Sequence, residues 1–393
     1  MSTLPFDVLD ITAEDVRNDI PTLKAACLVA RHWQHAFQHV LFSDVLIKDE
    51  RSTHHFSNAV NDISSLGIYV RSLEVRHVGP GSILSKLPRL ERITIRNVHV
   101  LLPDFCDSLR LGLASHLTSL TLHDVSWFNL PIFNGATALK HFTSSRTSYC
   151  GEAAGALVED GQIRSHVGQQ LHSLSLLSLP ARMWDGYQLL KWLTDPRCIM
   201  DLRGLKSLDI RTEHEAEWRR LCRFSSVIPS TLEHLTYKPP SQIAAPRLGT
   251  QSMQRLLDDF NLERFTHLRT LTLYTHLGVN EDYTEFSLLP WCFAFLSTIR
   301  TPSNLESLTM HCSFIRDKDN LVANPRQVSK RWDNFDRLFS SAAFSNLDQV
   351  ALYLLVTHET PFFLVKNAIA GKLPRLDHDG KLLIVPSEDG LAS

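Results

Sequence analysis

The sequence predicts an α/β solenoid of stacked repeats, with parallel strands on one face and helices on the other, preceded by a small helical module. Three observations lead there. A short pattern, apolar–polar–polar–apolar–polar–apolar, recurs ten times in one order along the chain. The connections between occurrences are long enough for a helix and two turns. The first forty residues contain no such pattern.

The cleanest occurrences are LTSLTL (Leu117, Leu120, Leu122), LHSLSL (Leu171, Leu174, Leu176), LKSLDI (Leu205, Leu208, Ile210) and LRTLTL (Leu268, Leu271, Leu273). Variants are LERITI from Leu90, LEHLTY from Leu232, LESLTM from Leu305, LDQVAL from Leu347, VRSLEV from Val70 and a weak ALKHFT around Leu139 and Phe142. In an extended segment side chains alternate faces, so the last two apolar positions of each motif point the same way. The first sits on the turn into the strand and reaches the same core. One unit cannot bury this edge alone, and stacking the next unit covers it. Each large apolar side chain fully buried in this way contributes about 1.5–3 kcal/mol, most of it offset by chain entropy.

Motifs start 20 to 42 residues apart, which suits a return path to the next parallel strand. Several connections have helical periodicity. Trp218, Leu221 and Cys222 share one face, as do Met253, Leu256, Leu257 and Phe260. So do Trp332, Phe335, Leu338 and Phe339, and likewise Leu189, Leu190 and Leu193. Prolines such as Pro88, Pro196, Pro229 and Pro302 punctuate the ends.

In the first forty residues, Ser2 or Thr3 is expected to cap a helix with Pro5 in its first turn, placing Leu4, Val8 and Ile11 on one side. Pro21 suits a second helical start, with Leu23, Cys27, Leu28, Val29, Trp33 and Phe37 as its apolar residues.

A chain of 393 residues with 44% hydrophobic residues is expected to fold around a large core. Its formal net charge of −2 makes no case for nucleic acid or an anionic membrane. The amino end is acidic (Asp7, Asp10, Glu14, Asp15) rather than basic then apolar, so a secretory signal is not expected. The most apolar run, LLPWCFAFL around Trp291, is too short to span a bilayer. Seven cysteines scattered singly, without a C-x-x-C, argue against a disulfide framework and for a reducing compartment, cytoplasm or nucleus.

Constellations for chemistry are sparse. His32, His35 and His39 fall at i, i+3 and i+7, a spacing able to hold zinc. Val29, Trp33, Phe37 and Val40 form the adjacent apolar side, so the histidines read as the polar face of an amphipathic helix. The run HEAEW at His214 lacks the second histidine of a zinc protease, and no P-loop, nucleophile elbow or dinucleotide glycine pattern occurs. The expectation is a non-catalytic protein without metal or cofactor.

From about residue 43 to 385 the chain resembles the leucine-rich-repeat superfamily. It departs in having a longer, more variable period, and in placing Val78, Val98, Val125 and Leu179 where Asn or Cys usually follows the strand. Turn backbone groups then need other partners, and an irregular, helix-rich version is expected. At the amino end, Leu-Pro, Val-Leu, Leu-Val-x-x-x-Trp and an exit Leu-Phe are similar to the F-box, and the whole looks like the F-box proteins with leucine-rich repeats numerous in fungi. The expected division is 1–42 for an F-box-like module and 43–393 for a solenoid of about ten repeats.

The resemblance implies docking on the Skp-type adaptor of a cullin–RING ubiquitin ligase. It assigns the adaptor-facing role to Leu4, Pro5, Val8, Leu9, Leu28, Val29 and Trp33. It implies a substrate-recruiting adaptor that reaches cullin through Skp and holds an unidentified protein target on its repeats. The alternative is an interaction scaffold with a helical cap and no ligase link. Two places are expected to take a partner. One is the polar strand face, including Thr118, Thr121, His172, Ser175, Ser207, Asp209, Arg269, Thr272, Ser307 and Thr309. The other is a rim of long insertions at 144–170, 238–252, 276–286 and 316–330.

Overall fold

A computed structural model describes residues 5–63, 65–77, 81–133, 136–150, 170–177, 185–194, 200–212, 221, 224–239, 257, 260–278, 289–315, 332–355 and 362–387. The chain divides into two compact units, Met1–Leu171 with Ile199–Asp201, and His172–Cys198 with Leu202–Ser393.

The first unit opens with three helices, α1 (Phe6–Asp15), α2 (Ile20–Val29) and α3 (Arg31–Leu41). Leu9, Ala13, Leu23, Ala26, Ala36, Phe37 and Val40 form their shared core, with Trp33 partly buried against it. Asp19 caps α2 by accepting from the Thr22 amide (3.1 Å), and Pro21 occupies its first turn, as expected. Two expectations are corrected here. Pro5 is the N-cap residue of α1 rather than part of its first turn. Val8 and Ile11 share one side of α1 as expected, and that side faces out while Leu9 and Ala13 face in. The second helix also breaks at Ala30, whose extended backbone (φ −157°, ψ 151°) starts α3 afresh.

Five parallel strands follow in the order β1-β2-β3-β4-β6: β1 (Asp44–Ile47), β2 (Ser72–Val75), β3 (Arg92–Val98), β4 (Ser119–Val125) and β6 (His141–Ser145). Beside them β5 (Phe128–Asn129) pairs with β7 (Tyr149–Cys150). The connections include α4 (Glu50–Asp62), closed at its start by a reciprocal Asp49–Ser52 capping box, and α5 (Pro103–Ser115). Among the described residues the second unit holds seven parallel strands: β8 (Ser173–Leu177), β9 (Ser207–Arg211), β10 (His234–Lys238), β11 (Thr270–Gly278), β12 (Ser307–Ile315), β13 (Gln349–Leu355) and β14 (Leu382–Pro386). Among the described residues its α-helices are α6 (Asp185–Thr194), α7 (Leu289–Leu296), α8 (Trp332–Phe339), α9 (Phe362–Ala370) and α10 (Pro374–His378).

Every one of the ten motifs is a strand of these two parallel sets. Their apolar positions stack in register: Leu73, Ile93, Leu120 and Phe142 in the first unit, and Leu174, Leu208, Leu235, Leu271, Leu308 and Val350 in the second. All of them are buried. Strands β1 and β14 extend the series beyond the expected ten, because DVLI and LLIVP lack the leading leucine spacing. The weak ALKHFT repeat has a local cause. Ser144 stands where a second leucine belongs and accepts a hydrogen bond from the buried Tyr149 hydroxyl. Phe128, Phe133 and Phe142 fill the remaining volume as a ring cluster.

The helical expectations hold for Leu189, Leu190 and Leu193 on α6 and for Trp332, Phe335 and Phe339 on α8, with Leu338 half-buried. Trp218, Cys222, Met253 and Leu256 lie outside the described residues, as do Val78 and Leu179 and most of the four insertions.

The turn groups do find other partners. In the first unit the residue before the strand-closing valine takes the left-handed conformation, Asn97 (φ 56°) before Val98 and Asp124 (φ 54°) before Val125. The carbonyls of Val98 and Val125 then accept from the amides of Ser126 (2.9 Å) and Ser148 (2.8 Å). In the second unit a polar residue just ahead of four leading leucines, Leu232, Leu268, Leu305 and Leu347, approaches a carbonyl of the preceding repeat. Thr231 donates to the Arg203 carbonyl (3.2 Å), Asn304 to Thr266 (2.7 Å) and Asn346 to Ser303 (2.8 Å). His267 lies 3.1 Å from the Ser230 carbonyl at the equivalent step.

Strand order, parallel pairing and register together define an α/β fold of the leucine-rich-repeat type.

Candidate functional site

Two surfaces stand out, one in each unit. The first is on the helical module. Leu28 and Val29 end α2 and are 88% and 66% exposed, while Val8 and Ile11 on α1 are 42% and 64% exposed. These four large aliphatic side chains stand outside the buried cluster of the module, and apolar side chains exposed together mark a contact surface. Of the residues assigned to adaptor docking, Pro5, Val8, Leu28 and Val29 are exposed and Trp33 is half-buried, stacked on Phe37 at 5.6 Å. Leu9 is buried (1%), so it holds the module together rather than presenting a surface. Leu4 lies outside the described residues.

The three histidines of α3 meet aromatic rings. His35 approaches Phe6 (5.6 Å) and Tyr69 (5.2 Å), His39 approaches Tyr69 (6.2 Å), and His32 lies against Trp33 (6.4 Å). No trio of His, Cys, Asp or Glu suited to a metal ion occurs among the described residues. No helix among them is long and apolar enough to cross a membrane.

The second surface is the half-exposed face of the strands in the second unit. All ten polar residues expected on the strand face of the two units are accessible, nine half-buried and Arg269 exposed. In the second unit they lie in rows set by the parallel register. Ahead of β9 to β12 the row alternates in charge and pairs internally, Lys206 with Glu233 (2.9 Å) and Arg269 with Glu306 (3.7 Å), and Asp348 follows ahead of β13. The bonded Lys206 ammonium holds the Glu233 carboxyl below the usual carboxylate range.

The row at the carboxyl ends differs. It runs Arg211, Lys238, Tyr274, His311, Tyr353 on five successive strands, with direct register partners at Lys238–Arg211, Tyr274–His311 and His311–Tyr353. Tyr274 and His311 stack with centroids 4.5 Å apart and planes 10° apart. His311 and Tyr353 continue the stack at 5.0 Å and 16°. The Arg211 guanidinium lies over the Tyr274 ring at 5.0 Å and also pairs with Asp209 at 3.4 Å. Burial pushes the Asp209 carboxyl up, with Arg211 pulling it back in part.

Of these five, only Lys238 falls within an expected partner-binding region, at the start of the 238–252 insertion; Arg211, Tyr274, His311 and Tyr353 are not among the residues expected to bind. A signal was available. Each stands immediately after the last apolar residue of its motif, so aligning the motifs aligns the row.

Burial pushes the thiols of Cys292, to about 12, and Cys312 upward, which opposes thiolate formation at neutral pH.

No family model matches the chain, and no curated protein matches it. Among solved structures it is similar to an internalin from Listeria monocytogenes, at 12% identity and a TM-score of 0.36, over 87% of this chain and 76% of that one. It is also similar to TLR13 in a complex with ssRNA13, at 15% identity and a TM-score of 0.39, over 78% of this chain and 38% of that one. These likenesses are distant, and the strand order and register define the fold without them.

Proposed function

We propose that the chain is a substrate-recruiting adaptor of a Skp–cullin–F-box ubiquitin ligase. Residues 1–42 form the docking module, and the repeats from 43 to 393 hold a protein target. The observation that carries this reading is the exposure of Leu28 and Val29, together with Val8, on a helical module whose buried cluster leaves them out. These are positions the F-box resemblance assigns to the adaptor contact, and an apolar surface of this kind gains from a partner. The contribution to catalysis is proximity. Target lysines are held near a ubiquitin-loaded subunit, and bond chemistry is left to other chains.

The test is co-expression with a Skp-type adaptor, followed by purification through a tag on the adaptor. The parent chain is expected to co-purify, and a Leu28→Asp, Val29→Asp double variant is expected to lose association. Both side chains are exposed, so the variant is expected to keep the parent's melting midpoint. A parent that does not associate, or a double variant that still does, rejects the ligase reading. A repeat scaffold with a helical cap is then the function that stands.

A further inference from the structure

We infer that three cations in register on the outward strand face of the first unit, Lys48, Arg76 and Arg96, receive the phosphoryl group of a phosphorylated serine or threonine on a partner protein. This deepens the reading of the repeats as the target surface and rests on that half of the proposal, not on adaptor docking.

Ile47 pairs with Val75 and Val75 with Ile95, so the residues that follow them, Lys48, Arg76 and Arg96, stand side by side at the carboxyl ends of β1, β2 and β3. Ile47, Val75 and Ile95 are buried, and alternation turns the next side chain to the opposite, solvent face. At about 4.8 Å between strands the three cations cover roughly 10 Å.

Charge on this face is unequal. The outward positions of β1 to β3 and the residues closing β1 and β2 hold four cations, Lys48, Arg76, Arg92 and Arg96, against two carboxylates, Asp44 and Glu74. Arg92 and Arg17 share Asp44, each at 3.4 Å, which leaves Glu74 to Arg76 and Arg96. Carboxylates flanking the face are engaged already, Asp49 by the Ser52 amide (2.7 Å), Glu91 by Arg71 (2.8 Å) and Asp124 by Arg146 (2.7 Å). From Asp44 to Asp124 only Ser64, Val78, Gly79 and Pro80 lie outside the described residues, and none of them ionises. The next carboxylate in sequence outside them, Glu152, follows β7, whose neighbour Ser148 bonds to Val125 at the end of β4 (2.8 Å).

Glu74 satisfies one guanidinium and not two. Its Oε1 accepts a hydrogen bond from Arg76 Nε at 2.8 Å. Arg96 Nε lies 3.4 Å from the same oxygen, is buried, and makes no hydrogen bond among the described residues. Both side chains still reach solvent, 45% exposed for Arg76 and 39% for Arg96. Two guanidinium groups compete for one carboxylate oxygen, and an added anion relieves the competition.

Three cations against Glu74 leave two positive charges. A phosphate monoester carries about −1.5 to −2 at pH 7 and offers three acceptor oxygens, whereas a carboxylate supplies one charge and two oxygens. Guanidinium forks match phosphoryl oxygens in geometry, and Lys48 adds a point charge beside them. The other outward side chains of β2 and β3 and of the first half of β4 are Ser72, Thr94, Ser119 and Thr121. These small hydroxyls suit a polypeptide backbone and give a nucleic-acid base no ring to stack on.

The test uses the full chain and a fluorescein-labelled peptide of glycine and serine with one central phosphoserine. The same peptide with serine or glutamate at the centre, inorganic phosphate and a uridine oligonucleotide serve as comparison probes. Fluorescence anisotropy is expected to show saturable binding of the phosphopeptide, roughly tenfold or more tighter than either comparison peptide. Unlabelled phosphopeptide is expected to displace the probe at roughly one tenth of the concentration that inorganic phosphate requires. Affinity is expected to fall by roughly tenfold in Arg76→Gln and by less in Lys48→Gln, an exposed position that guards against a folding failure. The inference is overturned by a parent without saturable binding, by equal binding of the phosphoserine and glutamate peptides, or by tighter binding of the oligonucleotide. Displacement by inorganic phosphate at the same concentration as by phosphopeptide overturns it too, since free phosphate is then the ligand. It is equally overturned if both variants bind as the parent does. Adaptor co-purification on the same proteins reports separately on the helical module, so failure of the ligase reading and failure of this one are told apart.

Discussion

Asp209 shows what the strand face asks of a single residue. Its carboxyl is largely desolvated, which favours the neutral form, and the Arg211 guanidinium at 3.4 Å only partly compensates. The pKa is therefore higher in the folded chain than in the unfolded one. Between the ordinary aspartate pKa and this raised value, the folded state holds more protons. Stability accordingly falls as pH rises through that window. Asp209→Asn removes the titration. Chemical denaturation across this pH range is expected to show a shallower loss of stability in the variant. A parent slope unchanged by the substitution would refute the assignment. Little of this was legible in sequence, where Asp209 is one polar residue among many on alternating strands. Its desolvation depends on which side chains the register sets beside it.

At the scale of elements, the repeats are tied by polar groups as well as leucines. Asp336 on α8 is 5% exposed and accepts from the backbone amides of Arg375 (3.1 Å) and Leu376 (3.3 Å) at the start of α10. It caps a helix in another connection, a role no local signature announces because 39 residues separate Asp336 from Arg375. Asp336→Ala leaves those buried donors without an acceptor and is expected to cost about 1–3 kcal/mol in urea unfolding. The side chains ahead of the leading leucines act more weakly, because they sit near solvent. Asn304→Ala removes one bond to the Thr266 carbonyl and is expected to cost about 1 kcal/mol by the same measurement. A cost for Asn304→Ala equal to or above that for Asp336→Ala would contradict this ranking. The sequence showed that the usual asparagine was missing after the strands. It did not show that asparagine and threonine had taken over ahead of them, because that bond joins residues one whole repeat apart.

At the scale of the molecule, the helical module and the repeats pose opposite problems to a reader of sequence. In the repeats, apolar periodicity and burial coincide. Leu271 and Leu308 are buried where the motif says they should be, because a strand face is defined by simple alternation. In the module, the apolar residues outnumber the core positions. Leu9 and Leu23 are buried while Val8, Ile11 and Leu28 are not, and periodicity alone groups Val8 with Ile11 without deciding whether that side faces in or out. A residue turned toward a partner and a residue turned toward the core look alike in one dimension. The surplus became visible only once three helices had chosen their inner faces.

The ten strands, their parallel order and the seam of leucines were readable from the chain alone, since each repeat carries its pattern within six residues and any neighbour of the same kind completes it. Which residues stand beside one another across that seam was not readable. The Arg211–Tyr274–His311–Tyr353 row draws on strands more than thirty residues apart, and its stacking exists because parallel register brings equivalent positions together. Local periodicity sets what a segment becomes, and long-range pairing sets whom its side chains meet.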